Sequence, residues 1–143
     1  MMQSRVNRIL WVEDDDQFVR DMQFAWRRLV SVRHVSNSEA ALAALEGDLP
    51  ELILLDLHLP HRLAQSDDDE GFALLAHIRS HFPSDLPVVV LTQDASPEAS
   101  RLALALGANA YLRKPVAVNA LEQVLGMLLR RAQDNPSSTR RSP

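Results

Sequence analysis

Short apolar runs recur along this chain and alternate with longer stretches striped at helical spacing. The runs are Ile9-Leu10-Trp11-Val12, Val30 to Val35 (the weakest), Leu52 to Leu55, Pro87 to Leu91 and Ala110 to Leu112. Each is too brief for a helix, and several are apolar on both faces. A strand apolar on both faces is covered on both sides, as happens in a parallel sheet between helical layers.

Between the runs lie the helices. Phe18, Met22, Ala25, Trp26 and Leu29 stripe Gln17 to Val30, and both Trp11 and Trp26 read as core or interface residues. Ser36 or Ser38 caps the next helix, whose face is Ala41, Leu42 and Leu45 and whose end is Gly47. Phe72, Leu75, Ile78 and Phe82 mark a third helix. Ser96-Pro97-Glu98 is a helix start with Ser as N-cap and Pro at the first turn, and the helix runs to about Leu106 before Gly107. Leu121, Val124, Leu125, Leu128 and Leu129 stripe a fifth helix from Val118 to Arg131. Residues 1–131 are expected to form one domain and 132–143, polar and rich in Pro and Ser, a flexible tail or linker.

Strand–helix alternation of this kind implies right-handed crossovers in a doubly wound α/β sheet. With five strands the leading order is the flavodoxin-like 2-1-3-4-5, a (βα)5 fold. The remaining classes narrow quickly. A net charge of −4 with no evident basic face argues against direct nucleic-acid binding. The absence of cysteine removes disulfides and thiolate metal sites and fits a reducing compartment. No apolar run is long enough to cross a bilayer, and the start lacks the apolar stretch of a signal peptide. A soluble cytoplasmic protein is expected.

Ligands of such sheets bind outside the carboxyl ends of the strands. Glu13 and Asp14 follow the first strand, Asp56 ends the third, Thr92 ends the fourth and Lys114 follows the fifth. In order 2-1-3-4-5 all five converge on one rim. Carboxylates so placed repel and call for a counter-charge. A hard divalent cation supplies it, and Mg2+ suits a few carboxylates plus water and phosphate oxygens. Thr92 adds a hydroxyl and Lys114 a compact positive charge. A carboxylate beside a cation and a lysine can act as nucleophile toward a phosphoryl group. With no glycine-rich phosphate loop, the site looks built to receive a phosphoryl group and not to hold a nucleotide.

Four pieces in register, Ile9 to Asp15, Leu52 to Pro60, Val89 to Thr92 and Ala110 to Pro115, resemble the receiver domain of bacterial two-component response regulators, over residues 7 to 131. Asp14 to Asp56 spans 42 residues, Asp56 to Thr92 36, and Thr92 to Lys114 22; the first and last separations are ordinary for that family. The resemblance implies that Asp56 accepts phosphoryl. It implies Mg2+ or Mn2+ held by Asp14, Asp56 and the backbone carbonyl of His58, with Glu13 acting through water. It makes Thr92 the switch hydroxyl, Tyr111 the aromatic that turns inward with it, and Lys114 the partner of the phosphorylated group. It also implies a cis bond between Lys114 and Pro115. The donor would be a histidine kinase or phosphotransfer protein. The output partner is unidentified, and the fourth and fifth helices offer a face for homodimerisation. The protein would accept phosphoryl, and slowly lose it, without being a dedicated enzyme. The chain leaves no room for an output domain, so it would act through a partner or belong to a longer regulator.

Two departures stand out. Gln93 follows Thr92 where the family usually has a small residue, and its side chain would narrow access to Asp56, slow phosphotransfer or hydrogen-bond the phosphoryl group. Ten residues, HRLAQSDDDE, separate Pro60 from Gly71 where the family keeps a much shorter connection. The plain reading is a solvated loop whose acids repel and keep it mobile; the functional one is a docking or lid element beside the site. His34, His61, His77 and His81 read as surface residues. Competing functions are a Mg2+-dependent phosphatase with an aspartyl-phosphate intermediate, weakened by His58 where a second Asp acid is needed, a flavodoxin-like mononucleotide binder, opposed by the acids after strand one, and a degenerate receiver that binds partners without phosphorylation.

Overall fold

A computed structural model describes residues 7–94 and 96–134. Five parallel strands, β1 (Asn7–Val12), β2 (Val30–Val35), β3 (Leu52–Leu55), β4 (Val88–Thr92) and β5 (Ala110–Arg113), form one sheet in the order β2-β1-β3-β4-β5. Between and after them run α1 (Asp16–Ala25), α2 (Ser38–Gly47), α3 (Asp67–His81), α4 (Pro97–Ala105) and α5 (Val118–Asp134). The expected flavodoxin-like order is the observed one.

Alternate residues of the central strands feed two cores. Leu10, Val12, Ile53, Leu55, Val88 and Val90 meet the buried faces of α2, α3 and α4. Ile9, Trp11, Leu52, Leu54, Val89 and Leu91 meet α1 and α5. That explains why β3 and β4 are apolar at every position: the pleat sends successive side chains to opposite layers, and both layers are dry. Trp11 is fully buried and stacks on Trp26 at 5.9 Å, with the edge of Phe18 at 5.4 Å, so both tryptophans are core.

Several expected boundaries shift. The first helix ends at Ala25 and not at Val30. Trp26 is pinned by its indole N–H to Glu122, 2.8 Å away, and Leu29 N–H turns back to the Trp26 carbonyl at 2.7 Å. The turn is needed because Val30 must pair with Asn7, so the residues before it cannot continue the helix. The cap of α2 is neither Ser36 nor Ser38 but Asn37, whose Oδ1 accepts from Ala40 N–H at 2.8 Å. Ser96 caps α4 as expected, and Gly107 follows at φ 109°, a conformation that side chains with a Cβ resist. The fifth helix continues to Asp134, past the expected domain edge at 131; the rest of the expected tail, 135–143, lies outside the described residues.

The largest shift concerns the acids after Pro60. Asp67, Asp68, Asp69 and Glu70 are not loop but the first turn of α3, where their charge meets the positive end of the helix. Glu70 is fully buried. Its Oε1 accepts the backbone N–H groups of Arg62, Leu63 and Ala64 at 2.8, 3.0 and 2.9 Å. Burial pushes this carboxyl up, but Ser38 (which faces it without meeting strict hydrogen-bond geometry) and the three N–H groups outweigh that and hold it below its ordinary value. His61 adds a bond from its ring Nδ1 to Asp67 at 2.6 Å. The segment expected to be solvated and self-repelling is instead wrapped around one buried carboxylate.

Candidate functional site

The carboxyl ends of β1, β3 and β4 and the chain after β5 meet at one pocket, and ladder bonds set each site residue in place. Glu13 N–H donates to the Val35 carbonyl and Asp56 N–H to the Val12 carbonyl, both at 3.0 Å. Lys114 N–H donates to the Thr92 carbonyl at 2.7 Å. Glu13, Asp56 and Lys114 therefore sit one step beyond their strands and Thr92 on the last rung of β4, where the backbone is fixed and the side chain faces the opening.

Asp56 is only 5% exposed. Its Oδ1 accepts from His58 N–H at 3.1 Å, which leaves Oδ2 toward Lys114 Nζ at 3.4 Å. Lys114 Nζ also bonds Glu13 Oε1 at 2.7 Å, and Glu13 Oε2 accepts from Asp15 N–H at 3.2 Å. Carboxylate oxygens of Glu13, Asp14 and Asp56 lie within 4.8 Å of one another, a group able to hold a metal ion. Glu13 and Asp56 are buried while Asp14 is exposed, so the group opens to water on the Asp14 side.

The electrostatics follow from that crowding. Burial pushes the Glu13 carboxyl up to about 7; the Lys114 hydrogen bond opposes this and the Asp56 charge adds to it. Burial pulls the Lys114 ammonium down, but its bond to Glu13 and the Asp56 charge prevail, and it stays above its ordinary value. One ammonium thus compensates two buried carboxylates. A hard cation with oxygen ligands would supply the missing positive charge, and this all-oxygen donor set suits Mg2+.

Thr92 is 1% exposed, and its Oγ1 accepts from Asp94 N–H at a long 3.4 Å. Tyr111 donates its hydroxyl to the Asp94 carbonyl at 2.6 Å. Burial and the neighbouring Asp94 charge raise the Tyr111 hydroxyl above its usual pKa. Thr92, Gln93, Asp94 and Lys114 line the same pocket as Glu13, Asp14 and Asp56; Tyr111 stands outside it, tied in through Asp94. Gln93 is exposed at the rim. The Lys114-Pro115 bond is cis. His58 turns its ring outward to Asp68, Nδ1 to Oδ1 at 2.9 Å, so the first turn of α3 forms part of the pocket wall.

The family model "Response regulator receiver domain" matches residues 9–126. The chain belongs to the response regulator receiver domain family. Among curated relatives, this receiver is 37% identical over 134 residues to the transcriptional regulatory protein GltR of Pseudomonas aeruginosa, covering 91% of the chain and 52% of that protein. It is 30% identical over 130 residues to the transcriptional regulatory protein KdpE of Staphylococcus aureus, with 90% and 52% coverage. The receiver therefore spans about half the length of these relatives. Among solved structures it superposes on a putative response regulator from Chloroflexus aurantiacus with a TM-score of 0.77 at 28% identity, covering 89% of this chain and all of that one. The BeF3-activated N-terminal receiver domain of Klebsiella pneumoniae RstA gives 0.76 at 26%, covering 87% and 99%. The protein is thus a two-component signalling receiver, consistent with a phospho-accepting switch. Among the described residues no helix is long and apolar enough to cross a membrane.

Two residues that support the receiver's site from outside the pocket were not legible from the chain alone. Glu70 looked like one of four loop acids; its burial depends on the fold of 61–66 back over α3. His34 looked like a surface histidine, yet its ring reaches the Glu13 carbonyl at 2.6 Å. The His34 contact joins positions 21 residues apart, and Glu70 is gathered by a non-repeating turn six to eight residues before it, so no periodicity or capping pattern marks either.

Proposed function

We propose that Asp56 accepts a phosphoryl group from a histidine kinase or phosphotransfer protein and that the acyl phosphate sets the state of the receiver. The observation that carries this is the placement of Asp56, with one oxygen held by His58 N–H and the other facing Lys114, at the base of a pocket shared with Glu13 and Asp14. Asp56 Oδ attacks phosphorus as the donor's P–N bond breaks, and the imidazole leaves with the bonding pair and takes up a proton. Mg2+, or Mn2+ in its place, would be held by Asp14, Asp56 and the His58 carbonyl, with Glu13 through water; bound there it screens charge between phosphoryl and carboxylate oxygens. Lys114 can exchange its bond to Glu13 for one to a phosphoryl oxygen, and Thr92 can turn its hydroxyl to another. That turn would loosen the Asp94 contact, which Tyr111 shares, and so pass the change to the α4–β5 surface.

On this reading the protein is not a dedicated enzyme; it is modified once and returns to its starting state by slow hydrolysis. The α4 and α5 helices expose Leu102 and Leu104, and Val118 and Met127, as apolar side chains that a second copy or an output partner could cover. The test is incubation with acetyl phosphate and Mg2+ followed by intact mass. A single phosphoryl adduct that Asp56→Asn abolishes supports the proposal. The absence of any adduct from small donors or kinase, with the protein folded and Mg2+ bound, would favour a degenerate receiver. Phosphate release over many turnovers would favour a phosphatase.

A further inference from the structure

The turn after β1 carries two of the three clustered acids, and a residue on the edge strand beside it holds that turn. β1 and β2 pair in register as far as Val12 and Val35. One more ladder bond follows, from Glu13 N–H to the Val35 carbonyl at 3.0 Å. Beyond it the chain leaves the sheet for α1, capped by Asp15. The next acceptor, the Glu13 carbonyl, is taken by a side chain: His34 Nε2 lies 2.6 Å away. A carbonyl only accepts, so this nitrogen carries the hydrogen, which fixes how the ring is used. The His34 side chain is 19% exposed, and its other acidic neighbour, Asp16 Oδ1, is farther at 3.8 Å.

That bond acts on the peptide group between Glu13 and Asp14. Glu13 is well fastened already: its N–H is in the ladder and its two carboxylate oxygens meet Lys114 and Asp15 N–H. Asp14 is not. It is exposed, and among the described residues no hydrogen bond or ion pair orients its carboxylate. The aim of Asp14 toward Asp56 therefore depends on the backbone, and the peptide plane ahead of it is set by the ring of His34. Release of that plane lets the torsions on either side rotate and carries the Asp14 carboxylate away from the other two.

We propose that His34 is a positioning residue for the divalent-cation site, supplying from a side chain the rung that the ladder lacks and so presenting Asp14 to the ion. This rests on reading Glu13, Asp14 and Asp56 as that site. Partners that orient a metal ligand from outside the coordination sphere change affinity about 10- to 100-fold when removed. Here the ligand is held by its backbone and not by its own side chain, which places the effect near the low end.

The experiment is calorimetric titration of the full chain with Mg2+, alongside thermal unfolding and acetyl phosphate labelling at low and saturating Mg2+. Wild type and Asp14→Asn come first: if wild type binds no Mg2+, or Asp14→Asn binds as wild type does, the cation-site reading itself fails. With the site established, His34→Ala is expected to weaken Mg2+ about tenfold. Its labelling should slow at low Mg2+ and recover when Mg2+ saturates. His34→Gln, whose amide N–H can reach the same carbonyl, should restore most of the affinity. If His34→Ala does not fold, His34→Leu keeps the bulk without a donor and makes the same comparison. Unchanged Mg2+ affinity without the donor, or a loss that His34→Gln does not mend, would overturn the inference while leaving the site intact.

Discussion

Lys114 Nζ lies 2.7 Å from Glu13 Oε1 and 3.4 Å from Asp56 Oδ2, so its shorter bond goes to the acid that is not the proposed phospho-acceptor. The lysine is parked on Glu13 within reach of Asp56. Its side chain is only 13% exposed, and both acids are buried. Lys114→Ala leaves two buried carboxylates without a cation. Losing one partner of a buried pair costs about 3 kcal/mol at the low end of the usual range. The loss should be read by denaturant unfolding without divalent ions, and Mg2+ should return part of it. Equal loss with and without Mg2+ would contradict the shared-charge account.

Asp56→Asn is expected to act in the opposite direction. It removes one of the clustered carboxylates, whose charge contributes to the rise of Glu13 to about 7. Without divalent ions the variant should be more stable than wild type by about 1 kcal/mol, the order of one pKa unit of interaction. In saturating Mg2+ the difference should shrink or reverse, because the ion then stabilises only wild type strongly. Thermal unfolding with and without Mg2+ decides it.

Glu70 should give the segment 61–66 a pH-dependent hold. Its folded pKa is depressed below 4.5, so its contribution is present above 4.5 and lost as pH falls through the lower folded value. Glu70→Gln keeps an acceptor but loses the charge that gathers three N–H groups, at a cost of about 2 kcal/mol near neutral pH. The gap in Tm between wild type and Glu70→Gln should close as pH drops below 4.5. At neutral pH, trypsin should cut after Arg62 faster in the variant than in wild type.

Gly71 sets how closely α3 approaches the site. A Cβ there would lie 2.3 Å from Leu57 Cα and 2.7 Å from the Asp56 carbonyl oxygen, all backbone that cannot swing away. Gly71→Ala should cost about 3 kcal/mol, the upper end for overpacking. It should also slow acetyl phosphate labelling of Asp56 in the folded fraction, since relief moves the backbone between Asp56 and His58. Unfolding midpoint and labelling rate measured on the same sample separate the two effects.

How much of this was legible beforehand depends on the range of each interaction. The doubly apolar runs at Leu52 to Leu55 and before Thr92 declared buried parallel strands, because only a sheet covered on both faces tolerates them. Capping at Ser96 and the stop at Gly107 are local chemistry and read correctly. The positions of Glu13, Asp14, Asp56, Thr92 and Lys114 at strand ends were enough to put them on one rim, since strand order carries them there. Tertiary structure alone decided the rest. It ended α1 at Ala25 because Val30 had to pair with Asn7. It buried Glu70 beside Ser38 of α2, where the carboxylate also gathers the nearby N–H groups of Arg62, Leu63 and Ala64, so the run from Asp67 opens a helix instead of repelling. It also brought His34 onto the Glu13 carbonyl. Periodicity and capping act within a few residues and are written in the chain; a buried carboxylate or an extra rung needs a partner brought from elsewhere, and only the folded molecule supplies it.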